Sequence, residues 1–361
     1  SPPRKAMMFS SATISFSPAV ASPVHPDRAL EIEEINKAAT TWTAKAHPRF
    51  SSQAPGASAT LCGVKGNWGA ELRDAIRMGE VEAYVPAATD LVAPASFDSA
   101  TNWPKCAKTI GDIRDQSNCG CCWAFGGAEA ASDRMCISSD AELLMPLAAE
   151  DVCFNGGGLF SDGCNGGQIS TPWSFIKKTG AVTGGNYNGT GPFGGGWCSA
   201  FSLPHCHHHG PQRDDPYPAE GAPGCPSERS PSGPKKCDKD ASSDHADFRD
   251  DKYSFSGSIQ SASGPSQIKQ MIMEGGPVET AFTVYSDFEN YAGGVYKHTT
   301  GSPVGGHAVK IVGWGSDGGV DYWKVANSWN PYWGEDGYFR IAFGEGGIDD
   351  QVVGSSASAK W

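Results

Sequence analysis

Gln116-Ser117-Asn118-Cys119-Gly120-Cys121-Cys122-Trp123-Ala124-Phe125 is the stretch on which the reading of this chain turns. A turn of small and polar residues gives way at Cys122 to an apolar, alanine-rich run, which predicts a helix over roughly 122–137. A thiol is mostly protonated at neutral pH, so a nucleophilic cysteine needs its thiolate favoured. The unpaired N–H groups and positive dipole end of a helix start do this, making Cys122 the candidate nucleophile. Gln116, a few residues upstream, can join the Cys122 backbone N–H as an oxyanion donor. Two plainer readings stand beside this one. Cys122 can be one more disulfide cysteine, and Cys121 is either a small buried residue or half of a strained 121–122 disulfide that silences the site.

Two downstream segments favour catalysis. Gly305-Gly306-His307-Ala308-Val309 sets a histidine at the start of an apolar strand, with glycines that allow close backbone approach. Asn327-Ser328-Trp329-Asn330 follows the next strand, Tyr322–Ala326. A thiolate–imidazolium pair needs its ring held in one tautomer. The Asn327 amide oxygen can accept the second ring N–H, and the Trp329 indole can shield that bond from water. A lone histidine near a strand is usually structural, but Cys, His and Asn in this order, each in a fitting local context, reverse that balance.

Around Cys122 the chain matches the C-G-[SA]-C-[WY] signature except that Cys121 replaces Ser or Ala. From about Ala93 to Gly354 it resembles the papain superfamily and, within it, cathepsin B. The resemblance is carried by Trp123-Ala-Phe-Gly126, Ser132-Asp-Arg134-Met-Cys136, Asp162-Gly-Cys164-Asn-Gly166-Gly167, Gly276-Pro277-Val-Glu279 and Val284-Tyr-Ser-Asp-Phe288. It implies an α+β fold of two lobes, helical against β-barrel-like, with the active site in the cleft between them. It also implies a cysteine endopeptidase that removes C-terminal dipeptides and works through a thioacyl-enzyme, with Gly166 and Gly167 pairing with an extended substrate. The family pattern suggests the disulfides Cys106–Cys136, Cys119–Cys164 and Cys206–Cys225, and leaves Cys237 to pair with Cys153 or Cys198.

Within the region of about 198–237, Cys198-Ser-Ala-Phe-Ser-Leu-Pro-His-Cys206-His207-His208-His209 resembles the family's occluding loop. Counted from Cys206, His208 and His209 are the residues that would hold a substrate's terminal carboxylate. The implied clamp joins His208 to Asp115 and Arg213 to an acid near Asn327, but Tyr332 stands where that acid should be. Gln351 stands where an acid would admit arginine two residues before the cut, so apolar or aromatic side chains are expected there. Residues 25–92 resemble the family's short inhibitory propeptide, notably at Thr41-Trp42 and Leu61-Cys62-Gly63, with cleavage expected somewhere around 86–93.

Composition bounds the alternatives. A formal charge of −12 argues against nucleic acid as a partner, and no apolar run is long enough for a membrane span. Twelve cysteines point to an oxidising compartment, and without a second Cys-x-x-Cys knuckle they read as disulfides, with no metal and no cofactor expected. The sequon Asn188-Gly189-Thr190 fits a glycosylated protein of the lysosome, another acidic endomembrane compartment or the exterior. Residues 1–24 read as a low-complexity tail with the outline of a degraded signal region. A helix is expected after Pro26 with Asp27 as N-cap and Ile32, Ile35, Ala39 and Trp42 on one face, and a second over Ala70–Met78. Helices then dominate up to about 178 and strands after Tyr253, at Val278–Tyr285, Ala308–Trp314, Tyr322–Ser328 and Gly337–Ala342. The expected molecule is a monomeric zymogen acting on peptides and proteins, with its own propeptide as inhibitor. The competing reading is a silent or redox-locked homologue that serves as a binding or structural component.

Overall fold

Frequent glycine and proline keep most elements short, and among the described residues the longest helix is the one that begins at Cys122. The computed structural model describes residues 24–38, 41–87, 92–158, 160–204 and 228–361. Its helices are α1 (Pro26–Lys37), α2 (Trp68–Arg77), α3 (Ser99–Asn102), α4 (Ala107–Ile110), α5 (Cys122–Ser138), α6 (Ala149–Asn155), α7 (Thr171–Thr179) and α8 (Gly264–Gly275). Its strands are β1 (Trp42–Ala44), β2 (Glu82–Ala83), β3 (Phe97–Asp98), β4 (Ile259–Ala262), β5 (Val278–Tyr285), β6 (Tyr291–Tyr296), β7 (Pro303–Asp317), β8 (Val320–Ala326), β9 (Tyr338–Ala342) and β10 (Val352–Ser355).

The strands form one sheet in the order β1-β6-β9-β8-β7-β5-β10-β4-β2, with β3 paired to β7. The sheet ends at β1 and β2 without closing, so the barrel-like lobe expected from the sequence is an open sheet. Both end strands come from the N-terminal segment: β1 runs antiparallel to β6 and β2 parallel to β4. They cover edges that would otherwise present unpaired N–H and C=O groups.

Helix α5 is buried around nearly its whole circumference because it packs between the other helices and β5, β7 and β10. Its charged residues are therefore paired internally. Lys310 Nζ reaches Asp133 at 2.8 Å, and Arg134 donates to the carbonyls of Pro277, Gly276 and Ser355. Two large apolar clusters result, one on the helical side around Trp123, Phe125 and Trp173, the other on the sheet side around Phe288, Trp329 and Trp333. The N-terminal segment joins both: Val64, Leu72, Ala75 and Val81 enter the first, and Ile35, Trp42, Phe50 and Leu61 the second.

The segment departs from expectation at α1. Pro26 takes the first helical position and His25 is the N-cap, its side chain accepting from the Asp27 N–H, so Asp27 lies inside the helix. The buried face is Arg28, Glu31 and Ile35, and Trp42 sits in β1 instead of extending that face. Ala39 lies outside the described residues.

The disulfides stitch the helical side together. Cys106, buried just before α4, bonds Cys136 near the end of α5, and Cys119 bonds Cys164, both in the pairing the family pattern suggests. Cys106 and Cys136 share a small apolar cluster with Ile110, Ile113, Val312 and Ala326, so their bond joins α5 to the packing behind β7 and β8. Cys198–Cys237 resolves the open pairing and leaves Cys153 a buried thiol. Cys206 and Cys225 lie outside the described residues.

Candidate active site

Cys122 is the first residue of α5 and is fully buried, with Cys121 as a cap that makes no side-chain hydrogen bond to the helix. The helix N-terminus therefore keeps free N–H groups, and that of Trp123 faces the Cys122 thiol. The backbone of Ala308 on β7 is also within hydrogen-bond reach of this thiol, which brings the neighbouring His307 to the helix start. His307 Nε2 donates to Asn327 Oδ1 at 2.8 Å, and the Trp329 ring lies 4.9 Å from the imidazole, centre to centre. Gln116 Nε2 donates at 2.8 Å to the Cys119 carbonyl, while Gln116 Oε1 accepts from Ser328 Oγ at 2.7 Å. Ser328 thus aims the amide that Gln116 presents, a role the sequence reading missed. Its only signal there was adjacency to Asn327.

The N-terminal segment runs through this constellation. The Leu61 carbonyl accepts from Gln116 Nε2 at 3.1 Å, and the Gly63 N–H points at Cys122 Sγ at 3.2 Å. Gly63 also accepts from the Gly167 N–H at 2.8 Å. The next two residues donate onward, Val64 N–H to the Gly306 carbonyl and Lys65 N–H to the Gly167 carbonyl, each at 3.0 Å. Glycine is required at 63, since a Cβ there would stand 1.8 Å from the Gly120 carbonyl oxygen. Gly166 lies against the same strand: a Cβ on it would meet the Gly63 carbonyl oxygen at 2.4 Å.

Asp115 is buried beside the site, bridged to Trp329, and its carboxylate meets Arg49 at 3.4 Å and Asn330 at 3.2 Å. Gln351 is buried just before β10, accepting from Ser261 Oγ at 2.7 Å, and makes no hydrogen bond to Cys122, His307 or Asn327 among those described. Tyr332 is partly buried, its N–H donating to Asn330 Oδ1 at 3.0 Å. Asn188 is exposed in a turn, in a left-handed conformation. His208, His209 and Arg213 lie outside the described residues.

Residues 93–356 match the profile described as Papain family cysteine protease. The chain belongs to the papain family of cysteine proteases. Among relatives of this papain-family chain, Cathepsin B-like cysteine proteinase 6 of Caenorhabditis elegans is 42% identical over 335 residues, covering 90% of this chain and 81% of the relative. Cathepsin B-like cysteine proteinase 4 of the same organism is 45% identical over 268 residues, covering 72% and 74%. Among solved structures, proCathepsin B S9 from Trypanosoma congolense superposes with a TM-score of 0.68 at 26% identity, covering 90% of this chain and 96% of that one. Procathepsin L 3 of Tenebrio molitor has a TM-score of 0.58 at 20% identity, covering 91% and 89%, a likeness of fold alone. The chain is thus a cathepsin B-like zymogen of the papain family.

In this papain-family zymogen the electrostatics of the cleft run opposite to the expectation from the helix start. Burial pushes the Cys122 thiol up to about 12, against the opposing effect of the backbone N–H groups at Ala308, Gly63 and Trp123. Burial likewise drives His307 down to about 4, although the Asn327 bond favours its charged form. At both positions desolvation outweighs the hydrogen bonds that favour the charged form.

Proposed function

We propose that Cys122, His307, Asn327 and Gln116 are the catalytic residues of a peptide-bond hydrolase that residues 25–92 silence. The observation that carries this reading is the path of the segment. A backbone carbonyl, that of Leu61, already sits on the Gln116 amide while the next turn of chain covers Cys122. With Nε2 committed to Asn327, His307 Nδ1 is left to take the thiol proton. Cys122 Sγ then attacks the substrate carbonyl, and Gln116 Nε2 with the Cys122 N–H holds the oxyanion. The proton passes to the leaving amine, and water hydrolyses the thioester. Gly167, which pairs with Lys65 and Gly63 in the zymogen, offers the same backbone groups to an extended substrate. Trp329 and Phe50 pack edge to face at 5.3 Å, so the indole keeps the His307–Asn327 bond dry in the zymogen.

The finer reading is a protease that both cuts internally and removes C-terminal dipeptides, with His208 and His209 binding the terminal carboxylate when charged. A His208–Asp115 contact would share the Asp115 carboxylate with Arg49 for as long as the segment is in place. Tyr332 offers a phenol where the clamp needs an acid, and exposed ion pairs are worth only about 0–1 kcal/mol, so the loop is loosened more than released. Segment removal is expected near 86–93, in an acidic endomembrane compartment or outside the cell. The test is thiol-dependent peptidase activity after acid activation. Cys122→Ala is expected to abolish it with the fold retained, and near-normal turnover by that variant would sink the mechanism. On paired substrates with a free or blocked C-terminus, Tyr332→Asp is expected to shift the ratio toward the free carboxylate. Retained dipeptide removal in both His208→Ala and His209→Ala would remove their proposed role.

A further inference from the structure

Three sulfurs, those of Cys119, Cys121 and Cys153, lie within 4.8 Å of one another under the N-terminus of α5, all of them buried. The group is not a metal site, because Cys119 is already bonded to Cys164. Two thiols remain. Cys121 caps α5 and Cys153 belongs to α6, so a bond between them would tie the turn before the nucleophile to the neighbouring helix.

We propose that Cys121 and Cys153 form a fourth disulfide of the described region in the natural protein. The side chains already face each other: Cys153 meets the Cys121 thiol, and Cys121 Sγ otherwise points to the Gln116 carbonyl at 4.0 Å. Cys122 Sγ is directed elsewhere, to the Gly63 N–H and the backbone of Ala308. The sulfur next to the nucleophile is therefore aimed away from it, and a 121–122 bond would have to undo both sets of contacts. Closing the 121–153 pair brings the sulfurs from within 4.8 Å to about 2.05 Å.

The chemistry is that of the three bonds formed among the described residues. Two thiols are oxidised by a small-molecule disulfide of the secretory compartment. Each loses its proton, one sulfur–sulfur bond forms, and the oxidant leaves as two thiols. Cys119–Cys164 lies in the same sulfur group, so oxidant reaches this place during folding. Afterwards burial holds the Cys153 thiol well above its ordinary value, which slows exchange in any chain that has folded reduced. The consequence is a turn from 119 to 122 anchored twice, to Cys164 and to Cys153, with the Cys121 thiol no longer available next to Cys122.

The inference does not depend on the role of Cys122, and a peptide map tests it. The full chain, made in an oxidising secretory host, is denatured without reductant in N-ethylmaleimide and cut by a protease that cleaves before aspartate. Asp151 and Asp162 then separate the peptide holding Cys153 (151–161) from that holding Cys164, while Cys119, Cys121 and Cys122 share the peptide starting at Asp115. The expected result is that peptide 151–161 is recovered attached to the Cys121 peptide, both in the wild type and in Cys122→Ala, and is released, alkylated, in Cys121→Ser. Recovery of alkylated 151–161 from the wild type overturns the proposal, as does continued linkage in Cys121→Ser. Should Cys121→Ser fail to fold, fragmentation of the linked wild-type peptides by mass spectrometry is expected to locate the bond at Cys121, and a bond from Cys153 to Cys119 or Cys122 overturns the proposal.

Discussion

Residues 24–53 dock on the sheet side through buried charge added to the apolar packing of Ile35, Trp42 and Phe50, whereas α2 docks on the helical side through apolar packing and a single acid. On the sheet side Arg28 donates to Glu289 at 2.7 Å and to Asn290 at 2.9 Å, while Glu31 accepts from Ser286 and Asn290, each at 2.7 Å. His47 donates to the Tyr291 carbonyl at 2.6 Å against the Trp333 ring. On the helical side Leu72 and Ala75 enter the core, and Glu71 accepts from Ser170 Oγ. The two halves titrate in opposite senses. Burial, with Lys45 and Arg28 nearby, lowers His47 from 6.5 to about 4, so its docking contribution is complete above pH 6.5 and is lost as pH falls toward 4. Burial raises Glu71 from 4.5 to about 7, so its docking strengthens as pH falls from about 7 to 4.5. Glu31, raised by burial, opposes His47 in part. Acid therefore loosens the segment first at its N-terminal half, while the strap at 61–65 is held by backbone bonds.

The largest test of this asymmetry removes the buried ion pair. Arg28→Ala leaves Glu289 buried without its cation, a loss of about 3 kcal/mol or more. Inhibition of the mature enzyme by the isolated segment is expected to weaken on the order of 100-fold. An unchanged inhibition constant would mean that the sheet side contributes little to docking. Next in size is His47→Gln, read as a pH dependence. Relative to wild type, the loss of inhibition between pH 6.5 and 4 is expected to shrink by up to about 3 kcal/mol. Parallel profiles for the two proteins would exclude His47 as the acid-sensitive contact. Of similar size and opposite sign is Glu71→Gln, which removes the opposing term and should make acid release steeper between pH 7 and 4.5. A shallower profile would reverse the assignment of the two halves.

The cleft was legible in the sequence because its chemistry is written in short local contexts. A helix start at Cys122, a glycine-flanked His307 and Asn327 before Trp329 each announce themselves within a few residues, and the structure brings them together with Gln116. The docking surface was not legible. Arg28 and Glu289 are 261 positions apart, and the inward face of α1 is Arg28, Glu31 and Ile35, so its burial leaves no hydrophobic periodicity to read. Strand β6, Tyr-Ala-Gly-Gly-Val-Tyr, hides behind two glycines that weaken a strand pattern, and α6 is seven residues without a capping side chain. Cysteine order could not choose between Cys153 and Cys198 for Cys237, since that choice depends on the packing of a loop-rich region. The burial of Cys122 was hidden for a related reason: the segment that covers it, at Gly63, lies some sixty residues earlier in the chain.

In the proposed mechanism the segment silences the site by covering Cys122, with the Gly63 N–H on its sulfur. The direct measurement is the rate at which a thiol-reactive epoxide labels Cys122, located by peptide mapping, in the intact chain and after acid removal of the segment at the same final pH. The account predicts negligible labelling of the intact chain and rapid, stoichiometric labelling of Cys122 once the segment is gone. Equal rates in the two states, or labelling directed to another cysteine, would contradict it.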